Sequence, residues 1–196
     1  MKNGVKMMKI TMIEDVLELI YTDPWMMDIL RTVQSLQLPD CWICAGFVRS
    51  KVWDVLHDFS QRTALADVDV VYFEDDNLDS AEEKCLEKKL LDLQPDVPWS
   101  VKNEARMHIR NDMEPYTSTL DAVAKFPETA TSIAVRLNLN KELILRAPHG
   151  ICDLMNLEVR PTPFFTVSRE RMKIYHQRLE KKKWKQHWHK LHYFYT

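Results

Sequence analysis

Residues 41–76, CWICAGFVRSKVWDVLHDFSQRTALADVDVVYFEDD, decide how the chain reads. The apolar run CWICA predicts a strand entering a tight turn at Ala45-Gly46. A helix follows, continued by Trp53–Phe59, and DVDVVYF predicts a second strand. Side chains alternate across a strand, so Asp67, Asp69, Val71 and Phe73 share one face and Val68, Val70 and Tyr72 the other. Two carboxylates then stand side by side. Aspartate is poor in strands, and like charges on one face repel unless something neutralises them. A hard divalent ion is the usual neutraliser: magnesium, or manganese in its place, takes one or two carboxylates and completes its shell with phosphate and water. Alpha carbons about 6.5 Å apart let such carboxylates bracket metals about 3.5–4 Å apart, which makes Asp67 and Asp69 the expected metal ligands. The plain alternative is a solvated acidic edge strand, continued by Glu74, Asp75 and Asp76.

The residues upstream favour the first reading. Gly46 is one of three glycines, and it sits between strand and helix, where a tight turn exposes backbone N–H groups and a helix N-terminus to phosphate. Ala45 and Gly46 are therefore candidate phosphate-binding positions. Arg49, in the first helical turn, is near enough to reach the same anion, and Ser50 adds a hydroxyl. An anion-binding turn and an acid pair on consecutive strands joined by one helix form a stronger signal than either alone.

AGFVRS followed by DVDV resembles the G-G-x-V-R-D and D-x-D signatures in the head domain of CCA-adding enzymes and bacterial poly(A) polymerases, within the DNA polymerase beta nucleotidyltransferase superfamily. RAPHGICDL and the following EVRP are similar to that domain's D-P-x-G-G-x-x-D-L segment and downstream arginine. With WSVKNEARMH, PETATSIAVRL and the tryptophan-rich terminal helix included, about residues 20–190 most resemble a bacterial family of stand-alone predicted nucleotidyltransferases. Ala45 stands where the first glycine of the pair would be, and Ser50 where an aspartate would follow the arginine. The resemblance implies an α+β nucleotidyltransferase fold: a small mixed sheet flanked by helices, with helical N- and C-terminal extensions. It implies one domain over 1–196, with a core at about 24–160 and a basic aromatic helical extension at 161–196. It also implies a nucleoside triphosphate substrate and a third catalytic carboxylate beside Asp67 and Asp69, for which the strand WSVKNE offers Glu104, with Asp153 as the alternative.

Hydrophobic content of 45% and charged content of 29% over 196 residues are those of an ordinary globular protein with one well-buried core. No run approaches the roughly 20 apolar residues of a membrane span, and MKNGVKMMKI lacks a leader's apolar stretch, so no membrane contact and a cytoplasmic location are expected. Cys41-x-x-Cys44 lies in the predicted strand without a matching second pair, which marks structural thiols rather than a zinc or redox site. His187 and His189, two apart in the terminal helix, fall on different faces and do not chelate.

The remaining elements read in order. Thr11 and Glu14 suggest a capping box for a helix at 11–21, and Asp23-Pro24 begins another with core stripe Trp25, Met26, Ile29, Leu30, Val33 and Leu36. Arg62, in a loop at the site's mouth, meets either nucleotide or solvent. LDSAEEKCLEKKLLDL is a helix with Leu86, Leu90 and Leu93 inward. Trp99–Ala105 reads as a strand on which Lys102, Glu104 and Arg106 share a face, either a triphosphate and metal face or a salt-bridge ladder; His108, Arg110 and Asn111 then begin a polar loop. A helix at 121–126 precedes a hairpin turning at Asn140-Lys141. Asp153 is read as a cap or backbone acceptor, with Arg160 as its structural partner. From Ser168 the chain reads as one helix. Residues 169–196 carry nine Lys and Arg against two Glu, leaving 18 against 27 acids elsewhere, so the chain is electrically two-ended. Its aromatics and cations suit either RNA contact or docking of an amphipathic helix on the core, the second being preferred.

Two function classes follow. One is a metal-dependent enzyme moving a nucleoside monophosphate from a nucleoside triphosphate to an acceptor hydroxyl, with RNA ends, small molecules and proteins all open as acceptors. The other is a catalytically inactive nucleotide- or partner-binding module on the same fold.

Overall fold

In the computed structural model, which describes residues 10–111 and 113–196, the turn strand and the acid strand are neighbours in one sheet. In chain order the elements are α1 (Ile13–Tyr21), α2 (Pro24–Ser35), β1 (Trp42–Cys44), α3 (Gly46–Leu56), β2 (Val68–Tyr72), α4 (Ser80–Leu93), β3 (Trp99–Asn103), α5 (Glu104–Asn111), α6 (Thr119–Ala124), β4 (Ala134–Leu137), β5 (Leu143–Arg146), α7 (Cys152–Met155), β6 (Glu158–Val159), α8 (Pro163–Thr166), α9 (Arg169–Lys182) and β7 (His192–Tyr193). The five-stranded sheet has order β3-β2-β1-β4-β5. Within it, among the described residues, only β2 and β3 pair in parallel; β1 runs antiparallel to both β2 and β4, and β4 to β5. This is the α+β mixed sheet flanked by helices that the resemblance implied.

The two faces of the sheet follow the alternation read from sequence. Val68, Val70, Tyr72, Ile43 and Val135 join the main core, which α1, α2 and α3 cover with Ile20, Met26, Ile29, Phe47 and Trp53. Trp42, Cys44, Val71 and Ala134 form a smaller cluster with Val123 of α6. Fully burying such side chains stabilises by about 1.5–3 kcal/mol each, so a register slip that exchanged the faces would be prohibitive.

Local chemistry sets the helix starts. Asp23 accepts from the Met26 amide at 3.2 Å with Pro24 in the first position, as expected. At α1 the acid that closes the cap is Asp15 rather than Glu14: its carboxylate accepts from the Thr11 and Met12 amides. Arg62, exposed in its loop, has a structural partner. It donates to Asp23 at 2.7 Å, lies over the Trp25 ring at 4.1 Å and, with Lys51 on the same carboxylate, ties α2 to α3. Leu86 and Leu90 are buried as expected, but Leu93 is exposed. The hairpin of β4 and β5 turns with Lys141 at φ 63°, as its sequence predicts.

Two expectations fail for tertiary reasons. The third strand stops at Asn103, whose amide oxygen accepts from the Glu74 and Ala105 amides and whose nitrogen donates to the Glu74 and Asn77 carbonyls. This cap starts α5, so Glu104 heads a helix, and the polar loop expected from His108 is helical too. The C-terminal helix ends at Lys182. Lys183 is left-handed (φ 48°), Trp184–Gln186 make a 3₁₀ turn, and β7 pairs with β6. Continuing the helix would carry Trp184, Trp188 and Leu191 away from the core that buries them. Instead both indoles pack edge-on against Trp53, at 5.6 and 5.1 Å, and Tyr175 donates to Val159 and Phe194 carbonyls. The aromatics therefore dock. Among the described residues no helix is long and apolar enough to cross a membrane; the reading of residues 1–9 lies outside them.

Candidate functional site

Antiparallel pairing brings the start of β2 against the end of β1. Cys44 lies directly opposite Asp69, so the Ala45-Gly46 turn and Asp67 meet at the same end of the sheet. Asp69 belongs to the face opposite Val68 and Val70, and both aspartates are half-buried. Burial first, and then the neighbouring charge of Asp67, raise the proton affinity of Asp69, while the Ser100 hydroxyl, Lys182 and Arg178 oppose the rise.

The turn is strained at an unexpected residue. Ala45, not Gly46, has positive φ (52°, with ψ −111°), a conformation costly for any residue with a Cβ. Its amide donates to the Ile133 carbonyl at 2.9 Å, so Ala45 shapes the turn without an N–H to offer an anion. From Gly46 onward the first-turn amides of α3 have no side-chain cap. A Cβ on Gly46 would lie 3.6 Å from Nη2 of Arg49, which shows how closely the guanidinium approaches the turn.

Arg49 is 7% exposed. Its guanidinium sits 4.3 Å from the Trp184 ring centroid and 5.0 Å from that of Trp53. Nε is buried without a partner, and among the described residues the side chain makes no hydrogen bond or ion pair. Burial lowers its pKa to about 10, against the pull of Glu128, Asp69 and Asp67, so it remains charged at neutral pH. Ser50, the next residue of α3, is buried as well.

Glu104 is 6% exposed, and burial, then the charges of Asp69 and Glu83, push its carboxyl up to about 8. It is therefore within electrostatic reach of Asp69, but from the head of a helix. Lys102 and Arg106 form ion pairs with Glu83 and Glu87 of α4, at 2.7–3.5 Å, so the segment is salt-bridged to a neighbouring helix and not along a strand face shared with Glu104. Asp153 accepts from the Thr129 hydroxyl at 2.6 Å and lies 3.6 Å from Arg160, whose guanidinium covers the Phe194 ring; it is a structural pair.

Among the described residues no group of three or more His, Cys, Asp and Glu side chains is arranged to hold a metal ion. Two mutually repelling carboxylates do fit magnesium, which needs only one or two from the protein when phosphate and water supply the rest. Cys41 and Cys44 are free thiols pushed upward by burial, Cys41 to about 12, hence inert. His187 contacts the Thr63 hydroxyl at 2.6 Å, and His189 packs edge-on against His57.

Sequence reasoning missed Arg178, Lys182 and Glu128. Glu128 is fully buried and accepts from Nε of Arg178 and the Thr131 hydroxyl, both at 2.7 Å. The only local signal was the spacing of four between Arg178 and Lys182, which puts them on one helical face. A cleft of about 890 Å³ lies elsewhere, at the other end of β1 beside Gln34, Trp42, Arg136 and Lys141.

A mixed five-stranded sheet with paired acids set against a strand-to-helix glycine turn defines a nucleotidyltransferase fold. The model of the family described as Nucleotidyltransferase matches residues 31–193, and the chain belongs to that family. It is similar to a protein whose NMR structure reveals a CCA-adding enzyme head domain, with 37% identity over 97% of this chain and all of that one, and a TM-score of 0.88. The fold is shared with the Thermotoga maritima CCA-adding enzyme solved with tRNA: 14% identity, TM-score 0.56, 91% of this chain and 42% of the enzyme. It is shared too with a CCA-adding enzyme in complex with CTP: 15% identity, TM-score 0.52, 87% of this chain and 42% of that one. No curated protein matches significantly.

Proposed function

We propose that the chain moves a nucleoside monophosphate from a nucleoside triphosphate to an acceptor hydroxyl. The acceptor oxygen bonds to the α-phosphorus, the bond from that phosphorus to the bridging oxygen breaks, the hydroxyl proton is released, and pyrophosphate leaves with the electron pair. One observation supports the reading: the strand bearing the acid pair lies beside the turn into α3, and the first turn of that helix carries Arg49, whose buried Nε has no hydrogen-bond partner. Asp67 and Asp69 would hold magnesium or manganese, which when bound neutralises phosphate charge and makes an acceptor hydroxyl more acidic. Uncapped amides from Gly46 onward and the positive end of α3 receive phosphate oxygens. Arg49 adds a cation in a water-poor position, where it acts strongly, and Ser50 a hydroxyl. Glu104, buried within electrostatic reach of Asp69, is the candidate for the third acid.

The lack of a ready three-acid metal group among the described residues favours a second reading, a nucleotide-binding module that transfers nothing. The test is incubation with α-labelled nucleoside triphosphates, magnesium and RNA ends, small alcohols or proteins as acceptors. Pyrophosphate release with label transfer is expected, and Asp69→Asn should lower the rate at least about a hundredfold with an unchanged circular dichroism spectrum. Nucleotide binding without release on any acceptor would leave the module; equal rates in Asp69→Asn would end the transfer proposal.

A further inference from the structure

The basic C-terminal segment is where the structure departs most from the sequence reading, and its last helical turns come back to the site. Trp184, just past the end of α9, has the Arg49 guanidinium 4.3 Å from its ring centroid and that of Arg178 5.8 Å away. Arg178 is held in place through Nε, which donates to fully buried Glu128 at 2.7 Å; this grip uses one of its five donors. Lys182 lies one helical turn further on the same face, exposed, and makes no hydrogen bond or ion pair among the described residues. Two cations thus stand on one face of α9, with Arg178 beside the same indole that Arg49 lies against.

We infer that the C-terminal segment completes the anion site: Arg178, anchored on Glu128, and Lys182 contact the β- and γ-phosphates of the nucleoside triphosphate, with Arg49 on the inner side. This rests on the nucleotide reading above and assigns a substrate contact outside the turn and acid strand that define that reading. Charge argues the same way. A triphosphate beside Asp67 and Asp69 adds negative charge to an already acidic spot, and Arg49 alone does not balance it. A lysine serving only the helix end would offset the macrodipole and be indifferent to the phosphate chain.

Titration calorimetry with magnesium, using each of the four nucleoside triphosphates, the corresponding monophosphates and inorganic tripolyphosphate, tests the assignment on Lys182→Gln, Lys182→Arg and the control Lys181→Gln. Lys182 is exposed, so these variants should fold. Expected is a loss of about tenfold in triphosphate and tripolyphosphate affinity for Lys182→Gln, recovery in Lys182→Arg, and no change for monophosphates or for Lys181→Gln. If Lys182→Gln binds both triphosphate probes as wild type does, the assignment fails and the nucleotide reading stands. If wild type binds neither nucleotide nor tripolyphosphate, both fail. If Lys182→Gln weakens binding of an RNA oligonucleotide but not of tripolyphosphate, the segment contacts RNA instead and the assignment is overturned.

Discussion

Arg49 is charged, buried and bonded to no acceptor among the described residues. A guanidinium lying against two indoles recovers something through cation–π contact, but a desolvated charge without a counter-ion is ordinarily a net cost to folding. Arg49→Met keeps much of the volume and the ring contacts while removing the charge. Its urea midpoint should be at or above that of wild type, with nucleoside triphosphate affinity reduced at least about tenfold. A loss of several kcal/mol of stability would instead make the guanidinium a packing element. The alternation that pairs Asp67 with Asp69 was legible from two residues of sequence, because it is a property of any extended chain. Arg49's burial was not, since Trp184 comes from the far end of the chain. Nor was the strain at Ala45, where the resemblance has a glycine and the backbone still takes a positive φ.

Elements whose boundaries rest on caps and short-range periodicity were readable: α2 with Asp23-Pro24, α4 with its buried leucines, and the hairpin of β4 and β5. Glu104 was misplaced because Lys102, Glu104 and Arg106 suit a strand face, while the Asn103 cap and the pull of Glu83 on α4 decide for a helix. The C-terminal segment was misread because KKKWKQHWHK contains no glycine or proline to stop a helix. What stops it is docking, including a bond from Nε1 of Trp188 to Asp54 at 2.9 Å. Asp54 is 4% exposed and also accepts from the Thr63 amide and hydroxyl. Trp188→Phe retains an aromatic ring but withdraws that donor. It should cost about 1–3 kcal/mol and speed amide hydrogen exchange over residues 184–193. Unchanged stability and exchange would assign the docking to ring packing alone.

For the whole molecule, the two-ended charge has a structural outlet: the basic segment lies against the acid end of the sheet, with Arg178 and Lys182 near Asp69 and Arg178 on Glu128. Glu104 gives the fold a pH dependence of definite sign. Its folded proton affinity rises from 4.5 to about 8, chiefly through burial, so the folded state binds the proton more tightly than the unfolded chain. The stability this contributes is full below about 4.5, falls as pH rises toward 8, and is gone above it. In metal-free buffer, urea titrations should show wild type losing stability relative to Glu104→Gln between pH 5 and pH 9. Parallel profiles would mean that the carboxyl is hydrated and unshifted.

Sequence alone determined what depends on neighbours in the chain: the alternation of the acid strand, the strand–turn–helix that precedes it, the hairpin, and the family to which these belong. Tertiary structure decided the rest. Antiparallel register set Asp69 opposite Cys44 and next to the turn, the Asn103 cap moved Glu104 onto a helix, and the tryptophans folded the basic segment back over Arg49. Alternation and capping are governed by a few adjacent dihedrals and hydrogen bonds, whereas register and docking are settled by burial among residues distant in the chain, whose partners no local pattern names.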